Sequence, residues 1–246
     1  MRIERQGNVA VVVLEWGKAN AISLAFLDAL DGLLDQLGDA GAAVIAAQGP
    51  IFSAGLDLPA LVELSPAAFR VFIDRFSEVM LRIFELPMPV VAAVNGHAIA
   101  GGCALALQAD VRIMAGDKNA KIGLNEAKLG MGLPPVILEA LRAQVPARSL
   151  VPIALEGRLH SAEEALGLGL IDQIASDARA AAVERAAQLA SPGAAQIKAA
   201  LRAKVSALIR AAGNEGWTET WFAPAAQERI RAAVARLGKK QAPGGP

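Results

Sequence analysis

Two glycine turns carry the strongest chemical signal in this sequence. Residues 94–110 read VNGHAIAGGCALALQAD, a strand-like run, an adjacent glycine pair and an apolar helical run. If a helix opens at Gly101 and Gly102, its first amides have no intrahelical partner and lie at the positive end of the helix dipole. Glycine leaves such an amide open to close approach by a ligand oxygen. A second apolar run, FSAGLDL (52–58), also breaks at a glycine and presents the amide of Leu56. Two amides from separate turns aimed at one oxygen form an oxyanion hole. Tight packing of a helix on a strand would equally require the glycine pair, and spacing alone does not decide between them.

Other catalytic chemistries find little material. His97 and His160 are the only histidines, and no His/Cys/carboxylate cluster has metal-ligand spacing. Neither a GxSxG elbow nor a P-loop is present. Cys103, the single cysteine, excludes an intrachain disulfide and reads as a small buried thiol in the helix after the glycines. His97 reads as a packing or hydrogen-bonding residue, and Asp110 with Arg112 as a structural pair.

The elements that must position these turns follow from patterning over 246 residues. VAVVVLEW (9–16), AAVIAAQG (42–49), PVVAAVNG (89–96) and VRIMA (111–115) have the length and composition of buried strands. Ser23 is placed to cap a helix that ends at Gly38, and residues 66–86 repeat apolar side chains at helical spacing. The alternation predicts an α/β architecture with its chemistry on the loops after strand ends. From about residue 133 the pattern turns helical, with Ser161 and Glu164 forming a capping-box sequence. Helices are expected over 192–212 and 224–237, with GWTETWF (216–222) exposed between them and an unstructured tail, GKKQAPGGP (238–246).

Lys plus Arg and Asp plus Glu number 24 each, so no net field gathers nucleic acid or an anionic membrane. No apolar run reaches the ~20 residues of a membrane span, and the N-terminus lacks a signal-peptide pattern. The expected location is cytoplasmic.

KANAIS (18–23), FSAGLDL (52–58), VNGHAIAGGCALALQAD (94–110), IGLNEAKLGM (122–131) and SAEEALGLGLID (161–172), in that order, resemble the crotonase, or enoyl-CoA hydratase/isomerase, family. The resemblance implies a crotonase-like spiral of β-β-α units over residues 1–190 holding the active site, and a C-terminal helical region over 191–246. It also implies acyl-CoA substrates, a homotrimer or dimer of trimers, and no cofactor beyond the coenzyme A carried by the substrate. Position by position, it assigns the oxyanion hole to the amides of Leu56 and Gly101. Substrate binding falls to Ala19, Ala21, Ser53, Ala54, Asp57 and Leu58, with Lys18 either a phosphate contact or a solvated loop lysine.

Of the two carboxylates the family uses, one matches Glu126 and the other falls at residue 104, which here is Ala104. A hydratase grips its water with both acids, whereas a 3-enoyl-CoA to 2-enoyl-CoA isomerase uses the single carboxylate at the position of Glu126. IGLNEAKLGM resembles the isomerase form, with Leu129 and Met131 lining an apolar pocket and Ala104 leaving room for acyl carbons. Asn125 either orients Glu126 or shapes the turn. The expected activity is therefore isomerisation; an enoyl-CoA hydratase of low or broad activity and a non-catalytic acyl-CoA binder are the alternatives. Trp217, Trp221 and Phe222 either line the acyl tunnel or pack a helix, with packing preferred.

Overall fold

The computed structural model describes residues 1–117 and 119–241. In chain order its elements are β1 (Arg2–Gln6), β2 (Val9–Leu14), α1 (Leu24–Leu34), β3 (Ala42–Ala47), β4 (Ile51–Ser53), α2 (Leu58–Leu61) and α3 (Pro66–Glu85). Then come β5 (Val90–Val94), β6 (His97–Ile99), α4 (Gly101–Leu107), β7 (Val111–Ala115), β8 (Ile122–Gly123) and a 3-10 turn over Glu126–Leu129. The remainder is α5 (Pro135–Gln144), α6 (Ala162–Leu168), β9 (Gln173–Ala175), α7 (Ala178–Leu189), α8 (Ala194–Ala212), α9 (Glu215–Phe222) and α10 (Pro224–Gln241).

Three times the chain lays a strand in a large sheet and the next in a small one: β3 then β4, β5 then β6, β7 then β8. The large sheet runs β1-β2-β3-β5-β7-β9 and the small one β4-β6-β8, with all pairings parallel except β1 to β2. Each circuit ends in helix or turn, which is a β-β-α spiral in a mixed α/β fold. β2 and β3 are buried along their whole length, as strands covered on both faces must be. Val9, Val11 and Val13 pack towards α7, while Ala10, Val12 and Leu14 join the main core with α1 and α3.

Several expectations need correction. A strand, β6, stands between β5 and α4, so the glycine pair does not follow the long apolar strand directly. Asp110 and Arg112 do not pair with one another: Arg112 holds Asp172 at 2.7 Å, whereas Asp110 holds Lys198 at 2.9 Å and Arg202 at 2.5 Å. The GWTETWF segment is exposed only at Gly216 and Glu219; Trp217 and Trp221 are buried against Phe69 of α3. The expected tail begins inside α10, which continues to Gln241; residues 242–246 lie outside the described residues. The capping box at Ser161 and Glu164 forms in full. Among the described residues no helix is long and apolar enough to cross a membrane.

Candidate active site

The two glycine turns meet. Gly55 has φ +89°, and a Cβ there would lie 2.6 Å from the Ile99 carbonyl and 3.1 Å from the Gly101 nitrogen. At Gly102 a Cβ would lie 2.3 Å from the Ser53 carbonyl. Any side chain at either position would therefore push the two turns apart. The glycine pair packs tightly against the first turn, and Gly101 and Gly102 are both buried.

Leu56 forms a parallel bridge with Ile22: Ile22 N–H donates to the Gly55 carbonyl at 2.8 Å and Asp57 N–H to the Ile22 carbonyl at 3.0 Å. In such a bridge the residue between the two bonds turns its own N–H to the opposite side. Gly101 is the first residue of α4, preceded by Ala100 at φ +50° and ψ −116°. A non-glycine residue in that region stores on the order of 1–3 kcal/mol of strain, a feature that concentrates at functional sites. Ala100 N–H donates to the Gly123 carbonyl at 2.8 Å, tying the start of α4 to the strand that leads to Glu126.

Asn20, which the sequence reading passed over within KANA, anchors the first turn. Its backbone has φ +48°, a conformation that Asn tolerates better than most residues. Its amide group donates to the carbonyls of Ile51 and Phe52 and accepts from Trp16 N–H, while its own carbonyl accepts from Ser53 Oγ at 2.8 Å. Ser53 Oγ also accepts from Gly55 N–H at 3.2 Å, so this hydroxyl serves the turn.

A cavity of about 80 Å³ opens where the turns converge, lined by Ala54, Leu56, Leu58, Ile99, Ala100, Asn125, Glu126, Leu129 and Met131. Five positions expected at the site (Ala54, Leu56, Leu58, Leu129 and Met131) thus surround the sixth, Glu126. Ile99 and Ala100 join them, although the sequence reading gave neither a role. Lys18, Ala19, Ala21, Ser53, Asp57, Gly101 and Ala104 are not part of that lining. Ala19 accepts a hydrogen bond from Ala54 N–H, Asp57 caps α2, and Ala104 is fully buried inside α4.

Glu126 is only 6% exposed, and its Oε2 has no hydrogen-bond partner. Burial raises its carboxyl to about 7, and no charged neighbour contributes to that shift. Such a group exchanges a proton readily near neutrality. Asn125 places a second unpartnered acceptor, Oδ1, at the same cavity. Cys103 lies behind the site; burial, then the charge of Glu126, pushes its thiol well up, which keeps it neutral. His97 accepts from Lys121 N–H and takes no part in the cavity lining. The described residues contain no cluster able to hold a metal ion.

A larger cleft of about 640 Å³ lies between the ends of α1 and α3. Its Arg82 and Arg210 are already paired with Asp35 and Glu85, and no unpartnered buried polar atom faces it.

The Enoyl-CoA hydratase/isomerase family model matches residues 4–241. The chain belongs to this family. A human relative, enoyl-CoA delta isomerase 1, mitochondrial, is 34% identical over 170 residues, or 68% of this chain and 56% of the relative. The match therefore spans less than two thirds of that relative's length. A Thermus thermophilus relative carrying an enoyl-CoA hydratase name is 36% identical over 216 residues, 85% of this chain and 83% of its own. The crystal structure of human mitochondrial delta3-delta2-enoyl-CoA isomerase superposes with a TM-score of 0.91 at 28% identity, covering 98% of each chain. Membership and architecture are thus established, and names of both activities occur among the relatives.

Proposed function

We propose that this member of the enoyl-CoA hydratase/isomerase family converts 3-enoyl-CoA thioesters to 2-enoyl-CoA thioesters. The observation that carries the reading is a single buried carboxylate, Glu126, with an unpaired oxygen, in a cavity beside two glycine turns and with alanine at position 104.

The thioester carbonyl lies between the N–H groups of Leu56 and Gly101. Ionised Glu126 takes a proton from C2, and the electron pair spreads over C2, C4 and the carbonyl oxygen as a dienolate. The two amides stabilise the charge on oxygen, each worth ~3 kcal/mol in sites of this kind. The protonated carboxyl then returns its proton to C4, leaving the double bond between C2 and C3 and Glu126 ionised again. The apolar walls of Leu56, Leu129 and Met131 keep bulk water from the intermediate. No cofactor enters the cycle.

A hydratase reading draws on one specific observation: Asn125 Oδ1 and Glu126 Oε2 are two unpartnered acceptors at one cavity and could share a water. Incubation of purified protein with 3-enoyl-CoA and, separately, with 2-enoyl-CoA decides between the two. The isomerase reading predicts that 3-enoyl-CoA gives 2-enoyl-CoA as the main product. Turnover of 2-enoyl-CoA alone, to 3-hydroxyacyl-CoA, would overturn it.

A further inference from the structure

The C-terminal helix α9 grips one residue, Gly132, just beyond the Glu126 turn, through both its N–H and its carbonyl. Trp217 Nε1–H donates to the Gly132 carbonyl at 2.9 Å, and Gly132 N–H donates to Thr220 Oγ1 at 3.1 Å. Thr220 Oγ1–H in turn donates to the Trp217 carbonyl at 2.8 Å, closing the ring of bonds. Trp217 and Thr220, three residues apart, share one face of the helix. The indole of Trp217 stacks on Phe69 of α3 with ring centroids 5.5 Å apart, and Trp221 stacks on the same ring at 4.4 Å. The gripping side chains are therefore fixed by a buried aromatic stack.

Gly132 itself is exposed, so water could satisfy both its polar groups. What the two bonds add is position. Met131, the residue before it, donates its N–H to the Glu126 carbonyl at 3.1 Å and is part of the cavity wall. Gly130, in the left-handed conformation that ends the 3-10 turn, lies against Ala226 and Arg229 of α10. Residues 126–132 are thus held between α9 and α10 on one side and the glycine turns on the other.

We propose that Trp217 and Thr220 are positioning residues that hold the Met131–Gly132 wall closed over Glu126 and so keep its carboxyl dry. The inference rests on the reading of Glu126 as the acid/base. It concerns residues that contribute nothing to the cavity lining and act only through the backbone of Gly132. The charged and titratable groups near the segment are Cys103 on α4, Lys128 on the turn itself, Arg229 on α10, and Glu156 and Arg158 beside Gly157, which abuts Lys128. None of them contributes to the shift of Glu126, which comes from burial. The acidic limb of the turnover profile therefore reports how dry the carboxylate is.

The test compares kcat and KM for 3-enoyl-CoA conversion as functions of pH in the parent protein, Trp217→Phe, Thr220→Val and Thr220→Ser. Trp217→Phe keeps an aromatic ring for the stack on Phe69 while removing the donor and part of the ring volume; Thr220→Val is nearly isosteric and removes the hydroxyl, so it isolates the hydrogen bond. Both should move the acidic limb from about 7 towards the ordinary glutamate range by roughly one unit and lower kcat about 10-fold, with KM changing less. Thr220→Ser should return the limb to the parent position. Circular dichroism and thermal melting confirm that each variant is folded. Folded Trp217→Phe and Thr220→Val proteins whose limbs coincide with the parent's would overturn the proposal. Glu126→Gln, run alongside, separates this failure from that of the functional reading: retained turnover there condemns Glu126 as the base, whereas lost turnover with unmoved limbs condemns only the clamp.

Discussion

Two of the buried charged regions among the described residues, the cluster at Asp110 and the carboxylate of Glu126, are treated in opposite ways. Asp110, between α4 and β7, is matched by Lys198 and Arg202 of α8 and also accepts from Val90 N–H at 2.7 Å. Lys198 further donates to the Met88 carbonyl, and Arg202 to the carbonyls of Phe84 and Gln108 while lying over the Phe84 ring. Near the start of α4, where Ala100 borders the same cavity, Glu126 is buried with one oxygen unpaired and no cation contributing to its shift. The cluster at Asp110 fastens α8 to the core. Glu126 is held in a state that costs stability, and a proton shuttle requires such a state. The difference teaches that burial alone does not single out a candidate acid/base; burial without a partner, beside a cavity, is what supports the proposed role of Glu126.

The contrast yields predictions of graded size. Glu126→Gln keeps the shape of the site and removes the base, so turnover of 3-enoyl-CoA should fall about 10³-fold while acyl-CoA binding by calorimetry persists. Asp110→Ala should instead cost about 3–5 kcal/mol in denaturant unfolding, because it strands two buried cations. If Asp110→Ala proved neutral, the idea that this cluster fastens α8 would fail.

The smallest effect concerns stability and pH. The folded carboxyl of Glu126 titrates at about 7 against an ordinary value of 4.5, so folding favours its protonated form. Its contribution is fully present below about 4.5 and is lost as pH rises through about 7. Glu126→Gln should therefore match the parent in acid and exceed its stability above neutrality by up to about 3 kcal/mol. Identical stability curves for the two proteins across this range would show that the carboxyl is not held dry.

Much of the frame was legible in the residues. VAVVVL, AAVIAA and VVAAV have the β-branched or small apolar make-up of buried parallel strands, and each forms one. β6, β8 and β9 have three residues or fewer, too short for periodicity to register, and they exist through pairing with strands distant in sequence. The glycines marked two turns in the sequence, but spacing did not show that the turns meet; that emerges from the close approaches at Gly55 and Gly102. Asn20 was missed because its role lies in bonds to Ile51, Phe52 and Ser53, more than 30 positions away. GWTETWF was misread because its glycine, threonines and single glutamate mask one apolar face, which becomes evident only when α3 supplies Phe69.

The central claim is that one glutamate carries a proton from C2 to C4 in a cavity that admits no water to the reaction. The most direct test is NMR analysis of the product formed from 3-enoyl-CoA in deuterated solvent by the parent and by Glu126→Gln. The account predicts 2-enoyl-CoA whose C4 carries mostly the hydrogen removed from C2, together with a silent variant. Product formed equally by the variant, or a hydroxyl group at C3 as the main outcome, would contradict it.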